Sequence, residues 1–272
     1  MKLAAMALGG AAAGSVVDAW LVEPRWIKVT RPVIPVNSLP PAWDGVRIAH
    51  LADIHTGRLV GLDYVGEVVR ATLAQSPDII VLTGDFVTGA AAITPGLAQV
   101  LGKLRAPEGR FAVLGNHDHW ADATGVVSLL ETSGVTLLTN RNVVLERNGE
   151  KLCLAGVDDL WEGKQLLDVA LAGVDEDVPR LLLCHNPDYA EKMPLDPRVD
   201  VMLCGHTHGG QFKIPFGPRP VVPVKHARYA AGLNRGPCCP VYTSVGLGMI
   251  GVPIRFNCRP ELAIIALRRG RP

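Results

Sequence analysis

Histidine and aspartate carry the chemistry that can be read first. The chain has eight histidines. Six of them, His55, His117, His119, His185, His206 and His208, come just after the end of a short apolar run. Asp53, Asp85, Asn116 and Asp118 occupy the same kind of position. Taken singly, each has an ordinary explanation as a turn residue, a helix cap or a satisfied structural histidine. Jointly they do not. Five separate runs end in Asp53-x-His55, Gly84-Asp85, Gly115-Asn116-His117-Asp118, His185 and Gly205-His206-x-His208. That concentration of oxygen and nitrogen donors predicts a metal site.

The donor types suit Mn²⁺, Fe²⁺ or Zn²⁺ better than Ca²⁺ or Cu⁺. They outnumber what one tetrahedral ion needs, so two ions are expected. Ions about 3.5–4 Å apart need a bridging carboxylate and can share a hydroxide as nucleophile. Two divalent ions set against Asp53, Asp85 and one hydroxide leave a net positive charge. Such a site complements an anionic phosphate ester more than a neutral carbonyl substrate, so phosphoester hydrolysis is expected over peptide hydrolysis.

Those ends need strands to hold them in place. The runs at 46–55, 78–85, 110–119, 151–159, 180–188, 199–208, 240–248 and 261–267 are too short for ordinary helices. They fit strands buried on both faces. Between them, 62–76 places Val65, Val68, Val69, Thr72 and Leu73 on one helical face, while 125–134 and 163–173 are shorter helical stretches ending in glycine. This alternation predicts an α/β fold. The short connections around 143–147, 152–157 and 240–245 predict antiparallel pairs, hence a two-sheet β-sandwich flanked by helices. Residues 45–272 read as one domain, and ligands are expected beyond the carboxyl ends of its strands.

Composition narrows the partners. The formal net charge is +1 and aromatic content is 5%. No basic stripe interleaved with aromatics occurs, so nucleic acid is not an expected partner. Cys153, Cys184 and Cys204 lie in apolar runs and read as buried thiols, while Cys238, Cys239 and Cys258 leave a disulfide open. Residues 1–44 read as a hydrophobic lead-in. The apolar stretch from Leu3 to Val17 is too short to span a bilayer and suits a signal-peptide core or anchor. An Ala/Gly-rich helix is the plainer alternative. Trp20, Arg25 and Trp26 suit either a membrane interface or an edge strand through 25–36. Export or membrane association is the expectation, with a cytoplasmic location as the alternative.

In this order, D-x-H, G-D, G-N-H-D, a single H and G-H-x-H resemble the calcineurin-like metallophosphoesterases over residues 45–267. The segments 185–191, 205–212 and 244–262 resemble the family's YkuE/YaeI-type bacterial phosphodiesterase branch. That branch is similar to enzymes cleaving UDP-2,3-diacylglucosamine in lipid A synthesis. The resemblance implies that Asp53, His55 and His208 hold one ion, Asp85 bridges, and Asn116, His185 and His206 hold the other. It implies that His117 protonates the leaving oxygen and that Asp118 orients His117 from behind. The implied reaction is in-line attack on phosphorus by the bridging hydroxide. One departure is Thr88, where many relatives carry an Asp.

Phosphodiesters or pyrophosphates are favoured over monoesters, because the strand-end motifs contain no arginine except Arg58. A phosphomonoesterase or protein phosphatase is the alternative, and a non-catalytic metal-binding module a weaker one. Arg58, His119 and Phe212 are candidate substrate contacts, with a rim or structural role favoured for His119. The loop 211–233, with Phe212, Ile214, Phe216, Val221 and Val222, is expected either to wall the site for a lipid-linked substrate and touch a membrane, or simply to pack.

Overall fold

The computed structural model describes residues 17–214, 217 and 222–270. In chain order its strands are β1 (Lys28–Thr30), β2 (Val33–Val36), β3 (Arg47–Leu51), β4 (Ile79–Thr83), β5 (Arg110–Val113), β6 (Thr136–Leu137), β7 (Arg141–Arg147), β8 (Glu150–Gly156), β9 (Arg180–Leu183), β10 (Val201–Cys204), β11 (Gly232–Arg235), β12 (Pro240–Thr243) and β13 (Glu261–Arg269). The α-helices are α1 (Leu62–Leu73), α2 (Pro95–Leu101), α3 (Asn116–Thr132) and α4 (Leu167–Ala170).

Two mixed sheets result. The first runs β1-β13-β3-β4-β5-β6, with β2 also pairing β13; the second runs β11-β12-β10-β9-β8-β7. β3, β4, β5 and β6 are parallel, as are β8, β9, β10 and β12, while β13 meets β3 and β7 meets β8 antiparallel. The lead-in residues therefore contribute β1 and β2 to the first sheet. Residues 1–16, which hold most of the proposed export segment, lie outside the described residues, as do Phe216 and Val221.

The apolar runs become strands because each central one is covered twice. Ile48, Ile79, Val81, Leu181, Leu183, Val201 and Leu203 face the space between the sheets. Ala49, Leu51, Ile80 and Leu82 face out under Val65, Val68 and Leu97 of α1 and α2. Cys153, Leu182, Cys184, Met202 and Cys204 form the opposite outer layer with Tyr189 and Tyr229. Each large aliphatic side chain buried this fully contributes about 1.5–3 kcal/mol. Fold and layers agree with the sequence expectation.

The helices differ in detail. α2 starts where Pro95 follows Thr94, whose hydroxyl accepts the Leu97 N–H. α3 starts well before 125, with Gly115 as N-cap, and kinks at Asp122. The stretch 163–173 keeps only the short α4. Asn140 explains this: its side chain accepts the Leu166 N–H and donates to the Lys164 carbonyl, taking both groups from a helix.

Candidate metal centre and cleft

Both sheets present the carboxyl ends of their parallel strands at one place. β3 delivers Asp53 and His55, β4 delivers Asp85, and β5 runs through Gly115 into the first turn of α3. β9 delivers His185, and β10 delivers His206 and His208. The chain must turn sharply at each end. Asp53, His55, Asp85, His206 and His208 accordingly have φ of 52°, 51°, 55°, 73° and 51°. Left-handed backbone costs non-glycine residues about 1–3 kcal/mol each and persists only where surroundings hold it. Gly115 is needed for approach: a Cβ there would fall 2.3 Å from Asp85 Oδ1.

The candidate ligating atoms converge in two buried sets. Asp53, His55 and His208 form one, and Asp85, His185 and His206 another, with the atoms of each set within 4.8 Å of one another. Asp85 Oδ2 lies between them, 3.3 Å from His55 Nε2 and 3.2 Å from His185 Nε2. Asn116 Oδ1 joins the second set at 3.1 Å from His185 Nε2. Second partners set the tautomers. His185 Nδ1 donates to Thr83 O at 2.7 Å, so Nε2 is the nitrogen left for a metal. His206 Nε2 donates to Pro223 O at 2.9 Å, which leaves Nδ1, 3.1 Å from His185 Nε2, as the lone-pair atom.

These residues fit divalent cations. Lone pairs of buried nitrogens face one another and two carboxylates, and Asp53 Oδ2 is buried without a hydrogen bond. Such crowding of donors is favourable only around positive charge. Electrostatics agrees. Burial disfavours charge on both Asp85 and His185, yet each favours the other's charged form. His185 and His55 hold the Asp85 carboxyl well below the usual range, and Asp85 raises His185 well above its ordinary value. Without an ion a proton sits on His185 Nε2 beside Asp85, and a cation would displace it to free the lone pair. Burial, opposed by His185 and reinforced by Asp85, lifts Asp53 to about 6. Burial also pushes His206 down to about 3 and His208 well below its ordinary value, keeping both imidazoles neutral for ligation.

His117 sits beside the ligand sets. Its N–H donates to Asp85 Oδ1 at 2.9 Å, and its ring packs edge-on against His55 and Trp120 with centroids 4.8 and 4.6 Å apart. It falls within ligand range of His55 and Asp85 as well. Burial lowers its pKa, so an acid role requires an anionic substrate to raise it again.

Asp118 differs from the sequence expectation. Its carboxylate does not lie behind the His117 ring. It accepts the N–H groups of Gly115 (2.9 Å), Asp85 (2.8 Å), Phe86 (2.8 Å) and, more weakly, Val87 (3.3 Å). The reason is its place in the third position of α3, where a carboxylate turns back onto orphan N–H groups. It braces the Asp85 turn against the α3 start. Thr88 also gives support: its hydroxyl donates to His55 O at 3.2 Å.

A cleft of about 520 Å³ opens over the ligands. Trp120, Trp161, Phe212, Ile250, Val252 and Ile254 supply most of its apolar wall. Phe212 therefore reaches the cleft, stacked on Phe256 with centroids 5.1 Å apart. Arg58 is exposed and does not line it. His119 is tied to Asp158 at 2.9 Å, joining α3 to the turn after β8. Sequence reasoning missed Trp120 and Trp161. Trp161 packs edge-on against His206 at 4.5 Å, and Trp120 Nε1 donates to Glu162 Oε1 at 2.7 Å. Trp120's place directly after the GNHDH motif was a readable signal; nothing local marks Trp161.

Comparison with known proteins agrees with this geometry. Residues 46–210 match the calcineurin-like phosphoesterase family. The chain is 34% identical to phosphodiesterase YaeI of Escherichia coli over 252 residues, 90% of each chain. It is 32% identical to the metallophosphoesterase YkuE of Bacillus subtilis, over 97% of this chain and 94% of that one. Among solved structures it superposes on NAD nucleotidase of Haemophilus influenzae with a TM-score of 0.51 at 17% identity, covering 75% of this chain and 45% of that one. That likeness is one of fold. The chain belongs to the calcineurin-like phosphoesterase family and is a metal-dependent phosphoesterase.

Proposed function

We propose that the protein hydrolyses phosphodiester or pyrophosphate bonds, and that its substrate carries an apolar group. The observation that carries this is the pairing of two ligand sets sharing Asp85 with a cleft whose described lining has no lysine or arginine. A monoester carries both charges on the reacting phosphoryl group and would call for such a cation; a diester, or either phosphoryl group of a disubstituted pyrophosphate, carries one. The apolar wall supports an acyl-bearing phosphoester, for example a nucleotide-linked diacyl sugar such as UDP-2,3-diacylglucosamine.

In this reading Asp53, His55 and His208 would hold one ion and Asn116, His185 and His206 the other, with Asp85 available to both. Mn²⁺, Fe²⁺ and Zn²⁺ all suit these oxygen and nitrogen donors. The chemistry those ions supply when bound is Lewis acidity and activation of water. His117 stands at the cleft floor, free to donate a proton to the departing oxygen. Trp120 and Trp161 line the cleft beside it and offer an apolar surface to the leaving group. We also place the enzyme at a membrane surface, on the strength of the exposed Trp20, Leu21 and Trp26 at the start of the described chain. No helix among the described residues is long and apolar enough to cross a membrane.

The test is a purified-protein screen. Mn²⁺, Fe²⁺ and Zn²⁺ are each assayed with a simple diester, a monoester and a UDP-linked diacyl sugar. Diester or pyrophosphate cleavage is expected, fastest on the acylated substrate. Hydrolysis of the monoester alone would overturn the proposal.

A further inference from the structure

Arg255 is a fully buried charge that the proposed reaction does not use. Every hydrogen bond it makes goes to a backbone carbonyl. Nε and Nη2 reach Gly248 O at 3.0 and 2.6 Å, Nη1 reaches Cys258 O at 3.0 Å, and Nη2 also reaches Val245 O and Gly246 O at 3.0 and 3.1 Å. A buried guanidinium is tolerated only when its donors are satisfied in this way. The effect is to fasten one loop, 245–258, into a single shape.

That loop backs the first ligand set. The Leu247 N–H donates to Ala52 O at 2.9 Å and the Gly248 N–H to Asp53 O at 2.7 Å. A Cβ on Gly248 would lie 2.0 Å from Ile54 O, so loop and ligand backbone are in direct contact. At the far end, Cys258 Sγ–H donates to His208 O at 3.4 Å. Asp53, His55 and His208 all sit in left-handed backbone, a conformation that relaxes unless held. Asp85 and His206 share that left-handed backbone, but the second set has holds outside the loop, Thr83 O on His185 and Pro223 O on His206. One bond links the sets, from the His206 N–H to Asp53 Oδ1 at 2.8 Å. The N-terminal turn locks the loop from outside. Glu23 accepts the N–H groups of Asn257 and Cys258, and the Arg255 N–H donates to Ala19 O at 3.0 Å.

We propose that Arg255 is a positioning residue for the ion site formed by Asp53, His55 and His208, acting through the 245–258 loop and far more strongly on that site than on the second. This rests on the metal-centre reading above.

The test titrates Mn²⁺ into full-length wild-type protein and R255M, with ion counting by elemental analysis and Mn²⁺ electron paramagnetic resonance. Two ions in the wild type establish the centre, and fewer than two would overturn that reading and this one with it. Given two, R255M should stay folded by circular dichroism and keep one ion within a few-fold of wild-type affinity. The other should bind on the order of 10–100-fold more weakly, as for residues that orient metal ligands. Excess Mn²⁺ should restore kcat with KM unchanged. R255K, which keeps the charge with fewer donors, should fall between. Unchanged affinity for both ions would overturn the proposal, and so would equal weakening of both with a lower Tm. If R255M does not fold, E23A tests the same loop, with the same selective weakening expected and the same two results against it.

Discussion

The Nε2 atoms of His55 and His208 face each other across 3.0 Å, with both rings buried. Two neutral imidazoles cannot both aim lone pairs at that distance without a proton or cation to share. Asp53 Oδ1, 3.7 Å from His208 Nε2, adds negative charge to the same point. The fold thus spends strained backbone on an arrangement that cation binding relieves.

Chelation should therefore destabilise the protein. A ligand at a hundred times its Kd stabilises the native state by about 2.7 kcal/mol. For a chain of this size, removing that much should lower Tm by roughly 5–10 °C. Scanning calorimetry before and after chelator treatment, then with Mn²⁺ restored, measures it. A Tm indifferent to metal would remove the centre.

Asp85→Asn should reduce occupancy of both sites, because one carboxylate oxygen lies within 3.3 Å of a ligand from each set. The loss should be no smaller than the 10–100-fold typical of residues that only orient ligands. Two ions retained in elemental analysis would sink the bridging role.

His117→Asn should keep both ions and lose about 10²–10⁴-fold in kcat, the range for one proton donor. Loss of an ion instead would make His117 a ligand, which its distance to His55 and Asp85 permits.

Asp118→Ala should act on stability, leaving buried N–H groups of Gly115, Asp85 and Phe86 without an acceptor. The cost should be on the order of 3 kcal/mol or more in denaturant unfolding. A variant as stable as the wild type but slow in turnover would return Asp118 to orienting His117.

The His119–Asp158 pair predicts a pH dependence. The hydrogen bond to Asp158 raises the His119 pKa, while burial of Asp158 is outweighed by His119 and its pKa falls. The histidine's contribution is complete below its unfolded value of about 6.5 and fades as pH rises through the raised folded value. Asp158's contribution is present above about 3.9 and is lost as pH falls through its lowered folded value. The stability gap between wild type and His119→Gln should be largest between these limits and shrink toward pH 9. A gap constant from pH 6 to 9 would mean the pair carries no charge.

The strand ends were legible because their donors follow apolar runs directly, and a strand covered on both faces admits few other residue types. Asp53, His55, Asp85, Asn116, His117, Asp118, His119, His185, His206 and His208 could all be chosen that way, and with them the layered α/β fold; the division into ligands and others came from the family resemblance. The cleft was only half legible. Phe212 is near His208 in the chain, but Ile250, Val252 and Ile254 reach the site only through the folded return of the loop before β13.

Sequence by itself determined which chemistry is available: hard and borderline donors at parallel strand ends, enough for two cations. Tertiary structure decided how each group is used. It turned Asp118 from His117 toward the Asp85 backbone, set Trp161 over His206, and buried Arg255 under the Asp53 turn. The physical reason is range. Strand and turn preferences are local and leave a residue pattern, whereas a hydrogen bond between distant segments leaves none until packing brings the two together.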